Sequence, residues 1–369
     1  MDPKPLSWRC GPLAAFALAG ALFAPPLNAQ VVVTPLSPAA PAAAAAPAEP
    51  EPPPIPFPER IIILENGITG RPLSLRSANP RHYEDIVRKQ PMPSVTLHAK
   101  LFVPPGSSKA PAVIIAPGSG GVNPWMLVHA RALTDSGIAV LLMDPFGGRE
   151  IRDTITAQTQ FSFAASTWDV FAAVLALERQ SDIDATRLGA LGYSRGGLSV
   201  LHAAMRPLAD AALGPGRALR AVVAGWPWCG LQFADPQTAP TAIRLALADS
   251  DNWVSPLQCQ AYFNAMRPRN PVVTQRLFKD ASHGFGYGTP LREIPRATHA
   301  LNAPVIHFDP RGVPLDPWSG DAMPGADDRA LEAMMRPFIG RGVLAGTQGS
   351  QMQDFIRDTV GFFITYLKL

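Results

Sequence analysis

The stretch Gly192-Tyr193-Ser194-Arg195-Gly196 fits the pattern G-x-S-x-G, and its flanks restrict the fold more than anything else in the chain. Before it, Arg187-Leu188-Gly189-Ala190 reads as the end of a buried strand. After it, Leu198 to Met205 reads as a helix. A serine on a sharp strand-to-helix turn has strained backbone angles, and glycine neighbours leave room for that turn. The helix starts just behind the hydroxyl, so its free amides and its dipole favour negative charge developing there. A turn of this kind suits a nucleophile; the plain alternative is an ordinary glycine-rich strand–helix connection.

The remaining pattern supplies a sheet to carry the turn. Ile61-Ile62-Ile63-Leu64 is a short apolar run that reads as a strand. Ser94 to Pro104 alternates and predicts a half-exposed, edge-type strand. Ala112–Ala116 and Ile138–Met143 are continuous apolar runs, as expected of central strands buried on both faces. Further strands are predicted at Leu219–Ala224, Ala242–Ala248 and Val272–Phe278. Helices are predicted at 123–136, 161–179 and 256–266, with a last one through Phe355, Val360 and Phe363. Alternating strands and helices predict an α/β fold: a mostly parallel, doubly wound sheet with helices on both faces. Right-handed crossovers then gather the ligand-bearing loops at the carboxyl edge of the sheet.

Composition excludes some functions. Net charge is +3 with no basic run, so nothing points to nucleic acid. The loop Pro117-Gly118-Ser119-Gly120-Gly121 resembles a phosphate cradle but lacks G-x-x-x-x-G-K-[ST], which argues against nucleotide binding. No pair of Cys or His residues has metal-ligand spacing, so no metal is expected.

The first 29 residues read as a secretory signal, with Lys4 and Arg9 before an apolar core broken by Pro25-Pro26, and Leu27-Asn28-Ala29 as the cleavage site. The core is shorter than the roughly 18–20 residues of a span, so no stable membrane anchor is expected. Residues 30–60 are a Pro/Ala-rich tract that predicts a semi-rigid linker. The folded α/β domain then runs over 61–369, in an expected secreted or periplasmic location.

A serine hydroxyl needs a base, and the base needs an orienting carboxylate. Of seven histidines, His283 follows the last predicted strand in Asp280-Ala281-Ser282-His283-Gly284-Phe285 and is the expected base; His202, inside a helix, reads as structural. The strand Ala242–Ala248 leads into Asp249-Ser250-Asp251-Asn252-Trp253, and spacing alone leaves Asp249 and Asp251 both open as the acid. Trp253 is placed to shield the carboxylate from water. An oxyanion hole needs two backbone amides, expected from Arg195 and Ser119. Gly118, Tyr193 and Trp253 are the candidates for the substrate cleft.

The chain resembles the dienelactone hydrolase family of α/β-hydrolases over about residues 90–290. The resemblance rests on Gly192-Tyr193-Ser194-Arg195-Gly196-Gly197, Asp251-Asn252-Trp253-Val254, Ser282-His283-Gly284-Phe285 and Gly118-Ser119-Gly120-Gly121. Asp144-Pro145-Phe146-Gly147-Gly148-Arg149 is similar to an Asp-Ser-Phe-x-x-Arg stretch of secreted members. The match implies Asp251 as the acid. It also implies ester hydrolysis with no cofactor and a small-molecule ester as substrate. The founding enzymes have a cysteine nucleophile and a glutamate in the oxyanion loop, where this chain has Ser194 and Gly118; this points away from lactone-specific chemistry.

Cys229 follows one predicted strand and Cys259 lies in the predicted helix after the next; neighbouring loops bring them within bonding reach, and they are expected to pair if the chain is exported, with two free thiols as the alternative. The Pro/Gly-rich segment 288–349 exceeds the family's usual ending and is a candidate lid. The reading is a serine esterase with a Ser194–His283–Asp251 triad. A prolyl-oligopeptidase-type peptidase, a polyester hydrolase and a non-enzymatic binding protein are its rivals.

Overall fold

A computed structural model describes residues 56–106 and 108–368. The expected export signal and residues 30–55 of the linker lie outside the described residues. At the linker's end, Phe57–Glu59 forms a 3-10 turn with Phe57 buried.

The elements up to the elbow are β1 (Arg71–Ala78), α1 (Tyr83–Val87), β2 (Ser94–Phe102), β3 (Ala110–Ala116), α2 (Trp125–Asp135), β4 (Ala139–Asp144), α3 (Phe163–Leu177) and β5 (Ile183–Tyr193). Next come α4 (Arg195–Ala203), α5 (Arg206–Leu213), β6 (Ala221–Gly225), β7 (Leu231–Phe233), β8 (Ala242–Ala248), α6 (Pro256–Met266) and β9 (Val273–Phe278). The chain ends with β10 (Arg292–His299), β11 (Ile306–Phe308), α7 (Asp328–Met335), β12 (Gly340–Ala345) and α8 (Gln351–Phe363).

Eight strands form one sheet in the order β1-β2-β4-β3-β5-β6-β8-β9. β2 is antiparallel to β1 and β4, and the other neighbours pair in parallel. Strand side chains alternate between the two faces. Ile114 and Leu141 accordingly join the core built with α3, α4 and α6, while Val113, Ile115, Val140 and Leu142 join the core built with α2 and α8. Burial on both faces is why these strands read as unbroken apolar runs. The result is the α/β-hydrolase fold.

Three expectations need correction. Ile61–Leu64 is not a strand: it makes one bridge, Ile63 to Thr69, and Ile61 stays 84% exposed. The run instead leads into a tight turn that buries Leu64 and packs Ile62 against the core, while Ile61 and Ile63 face outward. β2 is an interior strand, not an edge, because β1 covers it. Its polar positions are tolerated because its first half is exposed and Lys100, though buried, donates to the Pro58 carbonyl at 2.9 Å. The segment 288–349, read as irregular, carries β10, β11, α7 and β12. β10 and β12 form an antiparallel pair whose register shifts between Ile294 and Thr298, around Pro295. Proline in the strand hides its pattern.

Two features brace the carboxyl edge. Cys229, in the loop after β6, is bonded to Cys259 of α6, 30 residues on. A closure of that length stabilises the fold by roughly 3–4 kcal/mol through lost unfolded-state entropy. Behind the β4 loop, Arg149 and Asp169 form a bidentate pair at 2.8 and 2.9 Å, with side chains only 4% and 0% exposed. Ser77 Oγ donates to the same carboxylate at 2.5 Å. Arg149 also donates to Asn79, Pro145 and Ala78. Burial pushes the Asp169 carboxyl up, and Arg149 opposes that shift.

Candidate active site

β5 runs into Ser194 and α4 starts at Arg195, so one residue makes the turn. Ser194 has φ 53° and ψ −114°, a region costly for a residue with a Cβ. The turn is held from both sides: the Ser194 amide donates to Gly225 at 2.9 Å, and its carbonyl accepts from Leu198 at 3.0 Å. A Cβ at Gly192 would lie 2.0 Å from the Gly196 carbonyl oxygen, and one at Gly196 would lie 2.2 Å from that of Ala116. Both glycines are therefore steric requirements of the elbow.

The loop after β9 brings His283 to this turn. Its Nε2 lies 3.1 Å from Ser194 Oγ, and its Nδ1 lies 2.9 Å from Asp251 Oδ2. A carboxylate only accepts, so Nδ1 carries the proton and Nε2 is left to accept from the serine hydroxyl. The imidazole is fully buried. The other Asp251 oxygen accepts from the amides of Trp253 and Val254 at 2.8 and 3.0 Å, which fixes the carboxylate plane. The Trp253 ring packs 4.6 Å from that of His283, and its Nε1 donates to Thr298 at 3.0 Å. Asp249, the other acid candidate, points elsewhere and accepts from the Ala281 amide at 3.1 Å.

The loop after β3 touches the elbow. A Cβ at Gly118 would stand 3.3 Å from Ser194 Cβ and 3.1 Å from the Tyr193 carbonyl oxygen. The Gly118 carbonyl accepts from Gly121 at 3.0 Å. The Ser119 amide belongs to the same peptide plane and points the opposite way. Ser119 Oγ donates to Gln158 Oε1 at 3.0 Å. The Arg195 amide opens α4. Its side chain is buried over the rings of Phe161 and Phe163, at 4.4 and 4.0 Å. It donates to Ser166 Oγ at 2.9 Å, the Phe161 carbonyl at 2.6 Å and the Gln158 carbonyl at 2.7 Å. Burial pulls this guanidinium down to about 10.

A mainly apolar cavity opens on Ser194. Its walls include Phe163, Trp228, Leu231, Trp253 and Val254, together with Thr298, His299, Leu331, Met335 and Ile339 from the 288–349 segment. That segment thus forms part of the wall of the cavity on which Ser194 opens. Two carboxylates on α7 also face the cavity, Asp328 and Glu332. Asp328 accepts from the Phe163 amide at 2.7 Å, and Glu332 accepts from Thr159 Oγ1 at 2.8 Å. Burial pushes the Asp328 carboxyl up to about 6, against the Phe163 amide and Arg195.

Of the three residues expected at the cleft, the structure brings Trp253 to the cavity wall. Tyr193 is on the opposite face of the sheet, because strand alternation sends it the same way as Leu191. It is fully buried there, with its hydroxyl 2.5 Å from His129 Nδ1. Gly118 packs under the elbow and is not part of the cavity wall. Gln158, Trp228, Asp328 and Glu332 escaped the sequence reading, since they lie in loops and in a proline-rich segment without a recognised motif.

Asp328 yields a pH-dependent expectation. A carboxyl whose pKa folding raises binds its proton more tightly in the native chain, so stability falls as pH rises from about 4 through about 6. Asp328→Asn keeps an acceptor for the Phe163 amide and removes this titration. The variant is expected to melt higher than the parent at pH 8, by an equivalent of about 1–3 kcal/mol, and to match it near pH 4. Equal shifts in thermal midpoint at both pH values would contradict the assignment.

Comparison with known proteins places these features in a family. Residues 97–303, more than half of the 369, match the dienelactone hydrolase family. A Bradyrhizobium protein named "Probable 2-oxo-3-(5-oxofuran-2-ylidene)propanoate lactonase" is 28% identical over 196 residues, covering 51% of this chain and 78% of that one. Among solved structures, a dienelactone hydrolase-like promiscuous phosphotriesterase from metagenomic libraries is 16% identical with TM-score 0.48, covering 80% of this chain and 99% of that one. The dienelactone hydrolase of Anabaena variabilis is 18% identical with TM-score 0.41, covering 58% and 88%. The chain belongs to the dienelactone hydrolase family and is a hydrolase acting on esters.

Proposed function

We propose that the protein is a serine carboxylesterase that works through an acyl-enzyme. The observation that carries this reading is the buried hydrogen-bond chain from Asp251 through His283 to Ser194, at the foot of a mainly apolar cavity. Ser194 Oγ attacks the ester carbonyl carbon while His283 Nε2 takes its proton. The tetrahedral oxyanion lies against the amides of Ser119 and Arg195. Asp251 holds the His283 tautomer and stabilises the imidazolium. His283 returns the proton to the leaving alcohol oxygen, and the acyl group stays on Ser194. A water then attacks the acyl carbon, giving its proton to Nε2, and the acid leaves as Ser194 regains its proton.

The cavity favours an uncharged ester of modest size. Its walls are aliphatic and aromatic, and its carboxylates on α7 disfavour an anionic substrate. Arg195 brings a cation to the wall, but its nitrogens already donate to Ser166, Gln158 and Phe161. The propanoate lactone in the name of the Bradyrhizobium protein is therefore disfavoured here. An exported location is part of the same reading: the basic and apolar start fits a secretory signal, and the Cys229–Cys259 bond fits an oxidising compartment.

The test is covalent labelling with a fluorophosphonate. Mass spectrometry of the digested adduct should find the label on Ser194, and Ser194→Ala should neither label nor turn over p-nitrophenyl butyrate. A label on another residue, or substantial turnover by the alanine variant, would sink the reading.

A further inference from the structure

We propose that Gln158 is a positioning residue for this reaction: its side-chain oxygen sets the Ser119 amide, one of the two that hold the oxyanion, and ties it to the side chain of Arg195, which carries the other. The proposal rests on the esterase reading above. Gln158 Oε1 accepts from Ser119 Oγ at 3.0 Å and from Arg195 Nη1 at 3.3 Å. Thr154 Oγ1 is a third, longer donor at 3.5 Å. The Gln158 backbone carbonyl takes the same Arg195 nitrogen at 2.7 Å. One residue therefore ties together the side chains of both amide donors, although they sit on different elements.

The tie matters most for Ser119. Its neighbours in the loop are Gly118, Gly120 and Gly121, which restrict the backbone little on their own. The Arg195 amide is oriented by α4, whereas the Ser119 amide depends on what fixes its loop. The loop has its own turn, closed by the Gly121 amide on the Gly118 carbonyl and by Asn123 on the Gly120 and Gly121 carbonyls, and two contacts anchor Ser119 to the segment before α3: Gln158 Oε1 takes the Ser119 hydroxyl, and the Thr154 amide donates to the Ser119 carbonyl at 2.8 Å. Gln158 is itself held. It opens the 3-10 turn Gln158–Gln160, whose next residue, Thr159, is bonded to Glu332 of α7.

Oxyanion donors act on charge that exists only in the transition state, so their displacement lowers kcat and spares substrate binding. A shift of about 1 Å can cost on the order of a hundredfold. A merely structural contact would show neither this selectivity nor coupling to the Ser119 hydroxyl.

A double-mutant cycle tests the proposal with Q158M, which has similar length but no oxygen acceptor, and S119A, which keeps the backbone amide. Each single variant is expected to lose about 10- to 100-fold in kcat on p-nitrophenyl butyrate, with KM within about threefold of the parent. Affinity for a trifluoromethyl ketone transition-state analogue should fall by the same factor as kcat/KM. The double variant should lose little more than the worse single one, because both changes break one contact. Additive losses, or a change confined to KM, would overturn the positioning role. If Q158M does not fold, S119A alone decides: parent-like kcat removes the role. Fluorophosphonate labelling of the parent separates the two levels. Absence of label on Ser194 brings down the esterase reading and this proposal with it, whereas labelled enzyme with an additive cycle brings down the proposal alone.

Discussion

Asp251→Asn is expected to lower kcat on a neutral ester by about ten-thousand-fold, the scale seen when a histidine base is held in the wrong tautomer. The reason lies in donor accounting. The Asp251 oxygen nearest Trp253 accepts from two backbone amides, at 2.8 and 3.0 Å. An asparagine keeps its oxygen at those amides and so turns its NH2 toward His283 Nδ1. Nδ1 must then accept, which puts the imidazole proton on Nε2, facing Ser194. Nε2 can no longer take the serine proton. Asp249→Asn is the matched control, since Asp249 accepts from the Ala281 amide and the Ser250 hydroxyl instead. Steady-state rates of the two variants decide the matter: similar losses, or an Asp251 variant within tenfold of the parent, would refute the assigned roles.

Arg149→Met is expected to destabilise the fold by about 3–5 kcal/mol at neutral pH, because it strands the Asp169 carboxylate in a site without water. Asp169→Asn in the same background should recover much of that loss, since the remaining carboxamide carries no charge. The loss should also shrink on acidification, as the stranded carboxyl takes up a proton. The comparison is Arg71–Asp182, whose side chains are 47% and 36% exposed. Arg71→Met there should cost less than about 1 kcal/mol. Denaturant midpoints measured for all three variants test this, and comparable losses at Arg149 and Arg71 would contradict the burial argument.

The legible parts of the molecule were those whose physics is local. The elbow is written in five consecutive residues because Gly192 and Gly196 must lack side chains for Ser194 to turn. His283 and Asp251 each follow a strand that reads clearly, so the edge of the sheet they reach is predictable. The Asp249–Asp251 choice was open to spacing, and the distinction lies in which carboxylate the loop turns toward His283. Tyr193 lies away from the cleft because the parity of β5, carried through to the residue before the serine, places it on the same face as Leu191. Gln158 and Asp328 were invisible because their neighbours come from distant segments. Gln158 meets Ser119 across 39 positions, and Asp328 meets Phe163 across 165. No periodicity records such contacts. In 288–349, proline and glycine mask short strands whose partners are remote in sequence: β10 pairs with β12 at the other end of the segment, and β11 pairs with β7 outside it.

The Cys229–Cys259 bond has a consequence for local unfolding. Cys229 directly follows Trp228 of the cavity wall, and α6, which holds Cys259, begins just after the Asp251–Val254 loop. The segments leaving β6 and β8 therefore cannot fray independently. In hydrogen exchange they are expected to behave as one unit, with the amides of Trp253 and Val254 opening together with the backbone around Trp228. The Asp251 loop and the cavity wall beside it are then expected to open as a unit, with one protection factor rather than two.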